Sequence, residues 1–182
     1  WANTPADAPS SIGAGTIGAM TALAALAGGA SRVILADLVP EKLALFKDDP
    51  AVTTVNVKEQ SLADVVKAAT NGWGANIVFE ASGAPRAILS TTSFLAPGGK
   101  VVLIGMPQEP APIDIVEAQC KEIEFLTIFR YANVYDRAIK YIASGQINVK
   151  PLITHRFDLK DVVKAFEFAS TMPGDAIKIM VK

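Results

Sequence analysis

Gly13-Ala14-Gly15-Thr16-Ile17-Gly18, running into the small-residue stretch Ala19 to Ala27 and stopping at Gly28-Gly29, is the segment whose reading decides the fold. Each glycine of this G-x-G-x-x-G run has a mechanical reason. Gly13 permits a tight turn, Gly15 lets the backbone come close to a bound group, and Gly18 lets a helix pack closely on its strand. The helix start adds free N–H groups and a positive dipole end, which favour a phosphate's negative charge. Alone the motif is weak, because a glycine-rich turn with no ligand also carries it. Downstream, however, Arg32 to Ala36 reads as an apolar strand with Asp37 at its end, nineteen positions after Gly18. A carboxylate so placed accepts bonds from a ribose 2′-hydroxyl. Turn, helix, strand and acid in register form a dinucleotide-binding fingerprint. A methyltransferase using S-adenosylmethionine would also place an acid after its second strand, but Gly18 and the long small-residue helix suit a dinucleotide better.

Working outward, further strands read at Val52 to Val55, Asn76 to Ala81, Lys100 to Ile104 and Glu122 to Phe129. Helix-period segments alternate with them, at about 30 residues per strand-helix-strand unit, which is the signature of a parallel α/β sheet. Most of the strands are nearly continuous in Val, Ile or Phe, so the sheet is expected to be covered on both faces. The expectation is a Rossmann doubly wound sheet of six parallel strands. Ser61-Leu62-Ala63-Asp64 has the capping-box pattern before Val65, Val66 and Ala69. Pro97-Gly98-Gly99 and Gly72-Trp73-Gly74 read as turns, and Pro107 to Pro112 as a proline-rich loop leaving the sheet. Beyond Phe129 the pattern changes. A helix near Val134 to Ala143, a short strand near Leu152 to Phe157, a helix from Asp158 and a strand at Ala176 to Val181 suggest a different layer. The first strand is the irregular one. Ala6-Asp7-Ala8-Pro9-Ser10-Ser11 stands where a buried apolar run should lead into Gly13, and only Ile12 fits. Either that strand is poorly formed or the stretch is not the natural sequence.

The chain has 182 residues, of which 51% are hydrophobic and 19% charged, enough for one domain with a real core plus a small appendage. A formal net charge of −1 and the lack of any Lys/Arg run argue against nucleic acid as a partner. The longest largely apolar stretch, Ala19 to Ala27, is far short of the roughly 20 residues of a membrane span. Cys120 is the only cysteine, which excludes an internal disulfide and fits a reducing, cytoplasmic compartment; its default reading is a small buried apolar residue. The opening at Trp1, without an initiator Met or a signal-like segment, reads as an excerpt of a longer protein.

The residues from about Gly13 to Lys182 resemble the NAD-binding and C-terminal portions of zinc-containing medium-chain dehydrogenases, in their sorbitol and xylitol dehydrogenase branch. The likeness rests on Gly13 to Gly18, Ala36-Asp37-Leu38, Phe79-Glu80-Ala81-Ser82-Gly83 and Gly98 to Gly105. Its most specific parts are Phe129-Arg130-Tyr131 and Val149-Lys150-Pro151-Leu152-Ile153-Thr154-His155-Arg156-Phe157. The resemblance implies NAD as cofactor, held by Gly13, Gly15, Thr16, Ile17 and Gly18, with Asp37 and Lys42 on the adenosine ribose. Lys42 stands where relatives often carry Arg. Ile104, Gly105, Met106, Ile128 and Phe129 would line the nicotinamide side, and Arg130 and Tyr131 would reach the polyol. Residues 1–130 would then be the NAD-binding domain, and residues 131–182 a C-terminal segment of the catalytic domain.

The resemblance places the catalytic zinc on Cys, His and Glu residues of an N-terminal domain outside this sequence. One Cys and one His do not make the usual open site with three protein ligands. No catalytic residue and no metal ligand is therefore expected here. Glu80 is expected merely to cap the fourth strand, and His155 to be a packed structural histidine. A short-chain dehydrogenase would need Tyr-x-x-x-Lys, whereas Tyr135 and Lys140 are five apart. A zinc-free medium-chain reductase and a non-catalytic NAD(H)-binding module stay open as alternatives. A homo-oligomer, dimer or tetramer, is expected, with Ala111-Pro112-Ile113-Asp114-Ile115 as an edge segment projecting past the sheet.

Overall fold

The computed structural model describes residues 10–182. Its main sheet joins β1 (Ser10–Ile12), β2 (Val33–Asp37), β3 (Val52–Asn56), β4 (Ala75–Glu80), β5 (Leu95–Leu103) and β6 (Glu124–Thr127). The order is β3-β2-β1-β4-β5-β6 and every pairing is parallel. This is the doubly wound Rossmann order. The direction of winding reverses between β1 and β4, which opens a crevice at the carboxyl ends of those strands. Between the strands run α1 (Thr16–Ala27), α2 (Pro40–Leu43), α3 (Leu62–Ala69), α4 (Pro85–Ser90) and α5 (Ile115–Cys120).

Two buried clusters cover the two faces of the sheet. One gathers Ile34, Val55, Val66, Val78, Phe94 and Val101; the other gathers Ala19, Ala22, Val33, Leu35 and Phe46. Successive residues of β2 point to opposite clusters, as strand geometry requires, and four of its five residues are buried. β6 is an edge strand and mostly exposed, so two-sided cover fails at that end. Helix α1 buries Gly18, Ala19 and Ala22, so its contact with the sheet is made by small residues. Ser61 caps α3 as its sequence suggests, accepting a bond from the Asp64 amide at 3.3 Å.

Several expectations are corrected. The Pro97-Gly98-Gly99 sequence lies within β5, where the register slips between the Ala75–Leu95 and Ile77–Lys100 pairs; Gly98 takes φ +71°, so the chain bulges and continues rather than turning away. Ser10–Ile12 does pair with β2 and β4 on either side despite its serines, since the ladder needs only backbone groups; residues 6–9 lie outside the described residues. Cys120 is exposed. It lies two residues beyond the buried Ala118 of α5, about 200° around the helix, and so points away from the sheet. The segment from Ala111 to Ile115, expected to project past the sheet edge, is irregular up to Asp114 and then enters a helix. Asp114 caps α5 by accepting from the Glu117 amide at 2.9 Å, and Ile115 begins that helix.

The tail contains α6 (Tyr135–Ala143), β7 (Ile153–Phe157), α7 (Val162–Ser170) and β8 (Lys178–Val181), with β7 and β8 forming a separate parallel pair. Its helix starts later than expected, because Leu159–Asp161 forms a tighter 3₁₀ turn before Val162. Leu152 and Ile177 are buried in the same cluster as Ala19 and Leu35, and the Thr16 hydroxyl donates to the Ile177 carbonyl. His155 packs against Phe168 with the rings tilted at 48° and their centres 4.6 Å apart, and it contacts the Thr154 hydroxyl at 3.0 Å, as a packed histidine does.

Candidate functional site

The glycine run folds as a tight loop from β1 into α1. Gly13 has φ +95°, where a side chain would be strained, and its amide bonds the Ala36 carbonyl at 2.7 Å. A Cβ on Gly18 would lie 1.6 Å from the Gly13 carbonyl oxygen, so only glycine fits. Gly15 differs. A Cβ there would meet nothing within 4 Å, so its backbone faces open space, where a ligand can approach. The first turn of α1 carries no acidic residue and Gly15 supplies no side-chain cap, so its amides stay available to an anion.

Asp37 ends β2 beside this loop. One carboxylate oxygen accepts from the Ala14 amide at 2.6 Å and the other from the Val39 amide at 2.9 Å. The acid therefore fixes the loop as well as facing the crevice. Gly13 and Asp37 share a cleft of about 840 Å³ at the switch point of the sheet. Its walls are largely apolar, with Leu38, Val57, Leu62 and Pro85, while Gln60, Ser82 and Arg86 supply polar points. These last three were missed by sequence reading. A faint signal existed: Ser82 and Arg86 follow the carboxyl end of a strand, the side on which parallel sheets bind ligands. Lys42 is half-buried on α2 and is not among the cleft-lining residues; among the described residues its ammonium makes no ion pair.

The nicotinamide-side residues assemble at the ends of β5 and β6, outside that cleft. The Ile104 and Gly105 amides both donate to the Glu80 carbonyl at 2.8 Å, and the Ile128 amide donates to the Leu103 carbonyl at 3.0 Å. A Cβ on Gly105 would fall 2.2 Å from the Gly83 amide nitrogen, and one on Gly83 would fall 2.8 Å from the Met106 carbonyl. Two backbone crossings thus require glycine. Met106 is 70% exposed, Phe129 69% and Tyr131 64%. Arg130 sits at φ +60° with its guanidinium 5.1 Å from the Phe129 ring centre, a cation–π arrangement. Tyr131 meets Tyr135 edge to face at 5.0 Å, and their side-chain hydrogen bond raises the Tyr135 phenol above its ordinary value. The structure thus brings Gly13 and Asp37 into one cleft and places Ile104 to Met106 and Ile128 to Tyr131 along the same carboxyl-end rim. Among the described residues no group of three or more His, Cys, Asp or Glu is placed to hold a metal ion, and no helix is long and apolar enough to cross a membrane.

A parallel sheet with a glycine loop and an acid at its switch point defines a dinucleotide-binding α/β domain, and residues 16–144 match the family described as zinc-binding dehydrogenase. The chain belongs to that family. It is 49% identical to a D-xylulose reductase of Morganella morganii over 167 residues, covering 91% of this chain and 49% of that protein. It is 34% identical to a sorbitol dehydrogenase of Bacillus subtilis, covering 93% of this chain and 48% of that protein. Among solved structures, an Escherichia coli oxidoreductase/dehydrogenase of unknown specificity superposes with a TM-score of 0.90 at 30% identity, covering 98% of this chain and 52% of the other. The chain spans about half the length of these relatives. The sequence resemblance to the polyol dehydrogenase branch is thereby supported at family level.

Proposed function

We propose that residues 1–130 hold NAD(H) and residues 131–182 belong with the catalytic part of a polyol dehydrogenase of the sorbitol and xylitol type, which oxidises its substrate to a ketose. The observation that carries this reading is the shared cleft of Gly13 and Asp37 at the switch point, with an open approach above Gly15. Gly15 to Gly18 and the first amides of α1 would take the pyrophosphate, helped by the dipole of a twelve-residue helix. Asp37 and Lys42 would hold the adenosine ribose, and Gln60 and Arg86 would bound the base. Asp37 favours NAD over NADP, because a carboxylate facing a 2′-phosphate repels it. Ile17, exposed at 55% beside the loop, would touch the cofactor.

Bound NAD supplies the hydride acceptor. Ile104, Gly105, Met106, Ile128 and Phe129 would form the wall against which the nicotinamide rests, and exclude water from one of its faces. Arg130 and Tyr131 would hold the polyol hydroxyls. The relatives named as a D-xylulose reductase and a sorbitol dehydrogenase support this substrate class. The zinc that the family implies would be held by residues outside these 182, and the working protein would be a homo-oligomer taking a small-molecule polyol in the cytoplasm. The test is oxidation of sorbitol and xylitol by the full-length protein with NAD, followed by NADH absorbance. Turnover lost to a chelator and restored by zinc is expected. Turnover with NADP alone, or none with either polyol, overturns the reading.

A further inference from the structure

Glu80, the last residue of β4, is fully buried at 0% exposure, and no Lys, Arg or His pairs with it among the described residues. A buried carboxylate normally has a cationic partner, because its lost hydration is costly. Here its partners are all neutral donors. One oxygen accepts from the Ser82 amide at 2.9 Å, the Ser82 hydroxyl at 2.5 Å and the Gly83 amide at 3.2 Å; the other accepts from the Gly83 amide at 3.1 Å. The same residue's carbonyl holds the Ile104 and Gly105 amides.

These bonds tie together the two halves of the proposed cofactor seat. A Cβ on Gly13 would come within 3.2 Å of the Ser82 amide nitrogen, so the Ser82–Gly83 turn lies directly against the glycine loop. Gly105 approaches from the other side, where a Cβ would lie 2.8 Å from the Glu80 carboxylate oxygen. The carboxylate thus sits one backbone layer beneath the residues assigned to the nicotinamide. That assignment rests on the proposed function above.

We propose that Glu80 is a positioning residue for the cofactor, and that its buried charge shifts the seat's relative affinity toward the oxidised, cationic nicotinamide and away from the reduced, neutral one. Its hydrogen bonds hold the turn between the glycine loop and Gly105. Among the described residues its charge has no cation partner, and in a low-dielectric interior it acts on a positive ring over several ångströms.

The experiment uses the full-length protein, with NAD and NADH dissociation constants measured by calorimetry for the unaltered protein, Glu80→Gln and Ser82→Ala. Glu80→Gln keeps an acceptor oxygen for the turn and removes the charge. It should weaken NAD at least threefold more than NADH, a shift in ratio that a purely structural role does not produce. Ser82→Ala, on an exposed residue, keeps the charge and loses the hydroxyl bond; it should weaken both forms by a similar factor of two to five and leave their ratio unchanged. If Glu80→Gln folds with an unaltered ratio, the proposal is overturned. If Glu80→Gln fails to fold, Ser82→Ala decides: weaker binding of both forms with their ratio kept supports the proposal, and either unchanged binding or a shifted ratio overturns it. An unaltered protein that binds neither NAD nor NADH overturns the proposed function as well, whereas failure confined to the variants overturns this proposal alone.

Discussion

The two ends of the crevice are built differently. At the adenosine end, a buried strand, a glycine loop and an apolar cleft lie within one chain, and Asp37 fastens the loop with two hydrogen bonds of 2.6 and 2.9 Å. At the nicotinamide and substrate end, Met106, Phe129 and Tyr131 stand largely exposed, and α6 buries no residue at all. Large apolar side chains gathered on one face usually mark a surface that another part of a protein covers. On the proposed function, these residues would anchor the cofactor but supply only one wall of the reaction chamber.

The largest expected effect attacks the finished end. Gly18→Ala drives a Cβ to 1.6 Å from the Gly13 carbonyl oxygen, so the loop must move. A loss of about 3 kcal/mol is expected for such overpacking, or roughly 6–12 °C in Tm for a protein of this size, together with loss of NADH binding. Wild-type melting and binding would show that the loop is not seated as described. Next comes the tail. Ile177→Ala empties a buried site and should cost about 2–4 kcal/mol, whereas Phe166→Ala, on an exposed face of α7, should stay within about 0.5 kcal/mol for this chain. Denaturant unfolding of both variants measures the contrast, and equal effects would break it.

Arg130→Ala tests the unfinished end. In the full-length protein it should lower kcat/KM for the polyol about tenfold or more, equivalent to at least about 1.4 kcal/mol, with NADH affinity within a few-fold. If NADH affinity collapses and substrate kinetics survive, Arg130 belongs to cofactor binding or folding. The smallest effect concerns Glu117, which does not line the cleft. Glu117 is held below the usual carboxylate range first by the Thr92 hydroxyl, at 2.6 Å, and also by Lys121, with burial opposing. A carboxyl lowered in the folded state stabilises above its unfolded pKa, and that contribution fades as the pH drops through the folded value. Glu117→Gln should therefore flatten the stability profile below about pH 4.5 and leave binding unaltered; an unchanged acid limb would contradict the cause given.

What could be read from sequence depended on whether the signal was local. The glycine run and Asp37 were legible because turn geometry and strand position are written in consecutive residues. Pro97-Gly98-Gly99 misled for the same reason: its residues are turn formers, but the β4 pairs at Leu95 and Lys100 flank them and the Gly98 amide donates to the Lys121 carbonyl at 2.6 Å, so the strand continues past the bulge. Gln60 was illegible, and Ser82 and Arg86 left only a faint signal, since these residues meet at the cleft from segments distant in the chain. Cys120 failed because composition gives the average burial of a cysteine, and only the neighbouring Ala118 fixes which face of α5 is inward.

In the proposed function, Asp37 and the glycine loop form an NAD-selective seat. Calorimetric titration of the protein and of Asp37→Ser with NADH and NADPH tests this most directly. The unaltered protein should bind NADH at least about tenfold more tightly than NADPH, about 1.4 kcal/mol, and Asp37→Ser should narrow or reverse that preference. Equal affinity for the two cofactors, or a ratio unmoved by Asp37→Ser, would contradict it.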